Sequence, residues 1–490
     1  MMSFRAAPWS RVARLVSTTS RHGRALYSTT PASSTSTGSS KALRYIAAAG
    51  LVGVPGLWWL SNEKNPSSAV PSFKSHASTE VPFERGLSPN EVTKCLSKDS
   101  FSFQVGNVPG VSRYDGAQLP SNTICEDTFI HGTLPSPLQD GSTWGTWAVF
   151  DGHAGWQTAE VLTKSLLPSV QASLSQAKSA SGSTTVSDQT IQDAVAAGFV
   201  NLDNAIMKAG VDALQKDAPL QDRLKTAAVG YAGSCALLSL FDPTTNALHV
   251  ACTGDSRAVL GQQNADGTWG ATALSVDQTG SNEDEIARVN REHPGEKSIF
   301  KGGRVLGLMV TRAFGDGRHK WPVSVQQDLA DKLGIPPPLD AKRYEVKTPP
   351  YVTAEPLVTT TKLDPKRPSF LILGSDGLWD NISNEHAVEL VGKWLSSNAG
   401  AIKDAQNSST KREAFDFGQF KDKVSFAFEK DRTTVQDGNA AVHLLRNSLG
   451  GNHEEMVSGR VSAEPPFSRY IRDDVTIQVV FFNVPGISSK

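Results

Sequence analysis

The chain has 490 residues, with 48 Lys and Arg against 49 Asp and Glu and a formal net charge of −1. So even a balance excludes the strong basic excess of a dedicated nucleic-acid binder, and no nucleic-acid partner is expected. A hydrophobic share of 39% excludes wholesale disorder, and Cys95, Cys125, Cys235 and Cys252, scattered without a CxxC pair, read as free thiols rather than a disulfide scaffold or zinc site.

The charge is unevenly spread. Residues 1–62 hold seven basic residues and no acid before Glu63, which leaves the remainder with 41 basic against 49 acidic residues, a net −8. Arg5, Arg11, Arg14, Arg21 and Arg24 recur among Ser, Thr and Ala, the composition of a mitochondrial targeting presequence over residues 1–40; a basic disordered tail is the alternative. Residues 41–62 form an apolar segment in which Tyr45 to Leu60 carries no charge. As a helix this stretch covers about 24 Å, short of the roughly 30 Å hydrocarbon core. Snorkelling of Lys41 and Arg44 and an interfacial Trp58–Trp59 pair would close the gap and make it a transmembrane inner-membrane anchor. Gly50, Gly53, Pro55 and Gly56 favour instead a soluble extension of the presequence, or a bipartite sorting signal. The first reading puts the body in the intermembrane space and the second in the matrix. Residues 63–82, rich in Pro, Ser and Lys, read as a linker, and residues 83–490 as the catalytic domain.

Along that body, short β-like runs alternate with helical patterns. Trp144 to Phe150 reads as a strand. Leu162, Leu166, Val170 and Leu174 mark a helix face with Pro168 as a kink or early stop, and Ile191, Val195, Leu202 and Ile206 mark another behind an Asp188 cap. Strands are then expected at Cys235 to Phe241, Ala247 to Thr253, Ala258 to Gln262, Tyr351 to Ala354, Phe370 to Leu373 and Val475 to Phe482, with shorter helices after Ser281, Asn384 and Asn439. Runs that follow one another without helices between them imply a largely antiparallel sheet with helices outside. Segments 175–187, 317–350 and 396–437 read as surface insertions.

Acidic residues recur at the ends of these strands: Asp127, Asp151, Asp255, Asp316, Asp376 and the pair Asp473–Asp474, mostly beside glycine. A single such Asp is ordinarily a turn or a helix cap. Strands of one core would gather several at one edge, where they would repel unless cations neutralised them, and all-oxygen ligation suits Mg²⁺ or Mn²⁺ rather than zinc. Gly152 would let its carbonyl approach such an ion. Rival motifs are weak: the run from Gly302 to Gly307 has neither GxGxxG spacing nor a GK[ST] ending, there is no HExxH, and neither Ser234 nor Ser375 lies in GxSxG.

Glu126-Asp127, Asp151-Gly152-His153-Ala154-Gly155, Gly254-Asp255-Ser256-Arg257, Thr311 to Asp316, Gly374 to Asp380 and Asp473-Asp474-Val475-Thr476 together resemble the ordered motif set of metal-dependent type 2C serine/threonine protein phosphatases. Ser121-Asn122, Lys320-Trp321 and Pro349 to Pro356 resemble its pyruvate dehydrogenase phosphatase branch. The resemblance implies an α+β fold of four layers, α-β-β-α, with a binuclear Mg²⁺ or Mn²⁺ site at one end of two largely antiparallel sheets. It also implies that Asp151 bridges the ions, that the Gly152 carbonyl, Asp376 and Asp473 bind them, that Glu126 and Asp127 bind or orient waters, and that Asp255 helps hold a third, weaker ion. A water held between the ions would attack phosphorus in line, and His153 would protonate the leaving serine or threonine oxygen. Asn122 stands where many type 2C enzymes carry a phosphate-holding Arg; it is the candidate contact there, and a cationic substitute is not evident. The implied partner is a phosphoprotein, with the pyruvate dehydrogenase alpha subunit leading. Another phosphoprotein of the intermembrane space is the alternative target, and a non-catalytic pseudophosphatase would be expected to have lost carboxylates that are all present.

Overall fold

A computed structural model describes residues 86–182, 186–215, 217–397 and 427–484. The expected presequence, apolar segment and linker lie outside the described residues, as does most of the 396–437 segment. Among the described residues no helix is long and apolar enough to cross a membrane.

Helix α1 (Pro89–Ser97) precedes β1 (Phe101–Gln104), β2 (Val111–Leu119), β3 (Thr128–Pro135), β4 (Thr143–Phe150) and the two-residue β5 (Gly152–His153). Helices α2 (Gln157–Ser181), α3 (Asp188–Asp212) and α4 (Leu220–Tyr231) lead to β6 (Gly233–Ser234), β7 (Ala236–Asp242), β8 (Ala247–Thr253), β9 (Arg257–Gln263) and β10 (Trp269–Ala273). Next come α5 (Glu283–Glu292), the ribbon β11 (Phe300–Lys301) and β12 (Arg304–Val305), β13 (Phe314–Gly315), α6 (Gly317–Lys320) and α7 (Val323–Leu333). The remaining elements are β14 (Leu357–Lys362), β15 (Ser369–Gly374), α8 (Asp376–Trp379), α9 (Asn384–Ser396), α10 (Ala440–Ser448), α11 (Glu454–Ser462) and β16 (Val475–Phe482).

Two antiparallel sheets, ordered β1-β2-β16-β15-β9-β10 and β14-β8-β7-β4-β3, form the centre of the fold. Side-chain alternation sorts their residues. On β15, Leu371 and Leu373 enter the core between the sheets, whereas Phe370 and Ile372 face α9 and α10. On β4, Trp147 and Val149 face inward and Trp144, Ala148 and Phe150 meet α2 and α3. The result is the expected four-layer α-β-β-α sandwich. Gln478 crosses between the sheets, donating to the Ala148 carbonyl at 2.8 Å.

Several expectations need correction. Pro168 does not stop α2, which runs 25 residues. Pro168 and Lys164 both lie on the exposed side, so the carbonyl the proline leaves unbonded faces water. The cap of α3 is Ser187, which accepts from the Thr190 amide at 3.1 Å, and Asp188 is the first helical residue. Tyr351 to Ala354 is not a strand: flanked by prolines, it makes one isolated bridge, from Thr353 to Arg312, and buries Tyr351 and Val352 in a side cluster. Segment 175–187 begins as the last turns of α2. Segment 317–350 is not wholly surface, because its helices α6 and α7 anchor Trp321 in a cluster with α3 and α4. A Cβ on Gly210 or Gly230 would lie 2.5 or 2.7 Å from the Trp321 ring.

Candidate active site

Antiparallel pairing decides which strand ends meet. In the second sheet β4 and β8 both flank β7, so they run parallel and deliver Asp151 and Asp255 to the same edge. Thr128 of β3 lies opposite Phe150, which places Glu126–Asp127 there as well. In the first sheet Gly374 pairs with Ile477 and Val475 with Leu119, so Asp376, Asp473–Asp474 and Pro120–Asn122 share one edge.

At the junction Asp151, Asp255 and Asp376 each offer an oxygen within 4.8 Å of the others. Burial raises all three above the ordinary carboxylate range, with repulsion from neighbouring carboxylates adding to it at Asp151 and Asp255, the latter reaching about 7. Asp151 Oδ2 is buried without a hydrogen-bond partner. Unsatisfied carboxylate oxygens and an all-oxygen donor set fit a hard divalent cation. Gly152 lets the Glu126 loop close over this centre, since a Cβ there would lie 2.3 Å from the Glu126 carbonyl oxygen.

Other candidates stand around the triad. Asp127 Oδ2 accepts from Ser375 Oγ at 2.7 Å, and burial followed by repulsion from Asp474 pushes its pKa to about 8. Burial and Asp474 raise Glu126 to about 6. Asp255 Oδ1 accepts from the Cys235 thiol at 3.3 Å. Asp473 does not join the three-carboxylate group; it pairs with Arg469 and accepts from the Asp474 amide at 2.7 Å. Asn122 Nδ2 donates to Asp474 Oδ2 at 3.2 Å, which leaves its second N–H for another acceptor. Asp474 also accepts from the Asn122 amide at 3.2 Å and the Glu126 amide at 2.8 Å, so it fastens the whole 121–126 loop.

His153 sits on a three-stranded sheet ordered β13-β6-β5, where it pairs with Gly233, itself opposite Gly315. Its Nε2 lies 2.9 Å from Asp316 Oδ2. Burial alone would lower the His153 pKa, but the Asp316 carboxylate outweighs it and the net shift is upward. A Cβ on Gly233 would lie 2.1 Å from His153 Nε2, so this glycine makes room for the pair. Behind it, Asp203 accepts from the Gly315 amide at 2.9 Å and from Lys320 Nζ at 2.7 Å. Sequence reasoning named Asp316 as one more strand-end acid and assigned it no partner. Its backbone, with φ of 57°, turns it back toward His153, which no local pattern reveals.

The motif order at this edge has counterparts in known proteins. The protein phosphatase 2C family profile matches residues 118–417. A protein phosphatase 2C homolog of Schizosaccharomyces pombe is 38% identical over 80% of this chain and 85% of its own length. The mitochondrial [pyruvate dehydrogenase [acetyl-transferring]]-phosphatase 1 of Saccharomyces cerevisiae is 36% identical over 82% of this chain and 74% of its own. The protein of that name from Homo sapiens is 31% identical over 84% and 85%. The family match takes in Glu126, Asp127, Asp151, Asp255, Asp316 and Asp376, and the relatives align over four-fifths of the chain, so the chain belongs to the protein phosphatase 2C family and is a metal-dependent protein serine/threonine phosphatase.

Proposed function

We propose that this phosphatase acts in mitochondria on the phosphorylated pyruvate dehydrogenase alpha subunit. The observation that carries the reading is the likeness, over more than four-fifths of the chain, to phosphatases named for that substrate. The acid-free basic leader supports the location.

Asp151, the Gly152 carbonyl, Asp376 and Asp473 would hold two Mg²⁺ or Mn²⁺ ions, with Asp255 serving a third and Glu126 and Asp127 orienting the surrounding waters. Bound there, the ions neutralise phosphoryl oxygens and supply an activated water. His153 delivers a proton to the leaving serine or threonine oxygen. With Nε2 held by Asp316, Nδ1 is the ring nitrogen left for that work, and Asp316 keeps the ring oriented.

Purified protein with Mg²⁺ is expected to release phosphate from the phosphorylated alpha subunit. Asp151→Asn or Asp376→Asn should reduce release about a hundredfold or more and weaken divalent-cation binding in calorimetry. Undiminished hydrolysis by either variant would remove the assigned site; release from other phosphoproteins with this one untouched would remove the assigned substrate. The apolar stretch from Tyr45 to Leu60 favours a second reading, an inner-membrane anchor with the body in the intermembrane space. Protease protection separates the two, because only an intermembrane-space body is digested once the outer membrane alone is ruptured.

A further inference from the structure

A guanidinium holds phosphate oxygens through charge-assisted, bidentate hydrogen bonds, whereas at position 122 this chain offers a neutral amide that also donates to Asp474. We propose that Arg469 is the residue that grips the substrate phosphoryl group, in place of a residue at 122. This rests on the phosphatase reading above and adds a substrate-binding residue to it.

The argument begins with the backbone. Arg469 lies in a one-turn 3-10 helix, Phe467–Tyr470, just before the Asp473–Asp474 pair. Its neighbour Ser468 is buried and donates from Oγ to the Ser121 carbonyl. Arg472, three residues on, donates from Nη2 to the Pro120 carbonyl at 2.8 Å. The turn is therefore clamped on both sides of Arg469 against residues 120–121, which puts Arg469 on the same sheet edge as the 120–122 loop. Its guanidinium pairs with Asp473, which places the head at the strand edge that carries Asp473 and Asp474.

Availability points the same way. Arg469 pairs through Nη1 with Asp473, yet 47% of its side chain remains exposed. A guanidinium carries five N–H donors in a planar fork, so one ion pair leaves donors for phosphate oxygens without any rearrangement. Other cations around this edge are committed elsewhere: Arg257 to Asp277 and Asn384, Lys320 to Asp203 and the Ala313 carbonyl, and Arg472 to three backbone carbonyls.

The test uses the full chain and Arg469→Ala and Arg469→Lys. The readouts are calorimetric binding of inorganic phosphate to the Mn²⁺-loaded protein, KM and kcat for a phosphothreonine peptide, and Mn²⁺ affinity. Loss of a charge-assisted contact should weaken phosphate binding and raise KM about tenfold or more in the alanine variant, with partial recovery in the lysine variant. Mn²⁺ affinity should stay within about twofold of wild type, and thermal unfolding should be unchanged because the side chain is half exposed. Unchanged phosphate binding and KM overturn the proposal. So does a fall in Mn²⁺ affinity with phosphate binding intact, which would make Arg469 a positioning residue for Asp473. Failure of the underlying phosphatase reading is distinct, since wild-type protein would then release no phosphate from the peptide.

Discussion

At the residue scale, the pairing of His153 with Asp316 turns a partly exposed imidazole into a held one. An imidazole that must donate at one nitrogen works best when the other is fixed by a hydrogen bond, and Asp316 supplies it at 2.9 Å. Asp316→Asn retains the shape and removes the charge. Its kcat is expected to fall roughly 10- to 100-fold with KM little changed, measured on a phosphopeptide at saturating Mg²⁺, and Asp316→Glu should recover part of the loss. A proportional rise in KM instead would mean that Asp316 shapes the substrate site rather than orienting the ring. The glycine that admits this pair, Gly233, carries no motif of its own, whereas His153 and Asp151 are conspicuous in sequence because they follow a β-branched and aromatic run. Visibility in sequence thus tracks local pattern, while importance at this site tracks a contact spanning 163 positions.

Elements were legible where one period dominated. The expected bounds for β8 and β16 match the structure, and β15 departs by one residue at each end, because apolar side chains fill both of their faces and glycine or aspartate stops them. Strands β1, β2, β3, β10 and β14 went unrecognised: β1, β3, β10 and β14 are largely exposed or half-buried, and β2, though buried, is interrupted by Arg113, Asp115 and Gly116, so ladder partners rather than composition make them strands. The helices behaved similarly. The apolar stripes of α2 and α3 were clear, but their close approach depends on Gly198, whose carbonyl accepts from Ser169 Oγ at 2.7 Å. A Cβ at Gly198 would lie 2.8 Å from the Val170 Cα, a backbone atom that cannot step aside. Gly198→Val should therefore destabilise the protein by about 1 to 3 kcal/mol in urea denaturation, through overpacking between the two helices. A stability within about 0.5 kcal/mol of wild type would show that the helices can separate without cost.

For the whole molecule, charge couples the site to stability. Burial and repulsion hold Asp127 near 8, Asp255 near 7 and Glu126 near 6, all above their ordinary values. Folded-state pKa values raised in this way contribute stability that is fully present below the ordinary range near 4 and lost as the pH rises through 6, 7 and 8. Above that window the cation-free fold carries buried anions; a divalent cation offsets them, while at lower pH it must compete with protons. The gain in melting temperature on adding saturating Mg²⁺ should accordingly be larger at pH 8 than at pH 6, with a chelator reversing it. An equal gain at both pH values would place the bound cation away from this cluster. The amino-acid sequence by itself determined the charge partition, the alternating runs that make a two-faced sheet, and the recurrence of an acid after each run, because these are properties of neighbouring residues. Only the tertiary structure decided which acids converge. Strand direction and register bring Asp151, Asp255 and Asp376 together from both sheets, commit Asp474 and Asn122 to holding a loop, and set Arg469 beside Asp473 at the rim. Those outcomes, apart from the local Arg469–Asp473 pair, depend on contacts between elements distant in sequence, and such contacts are fixed by packing of the whole sandwich rather than by any local run.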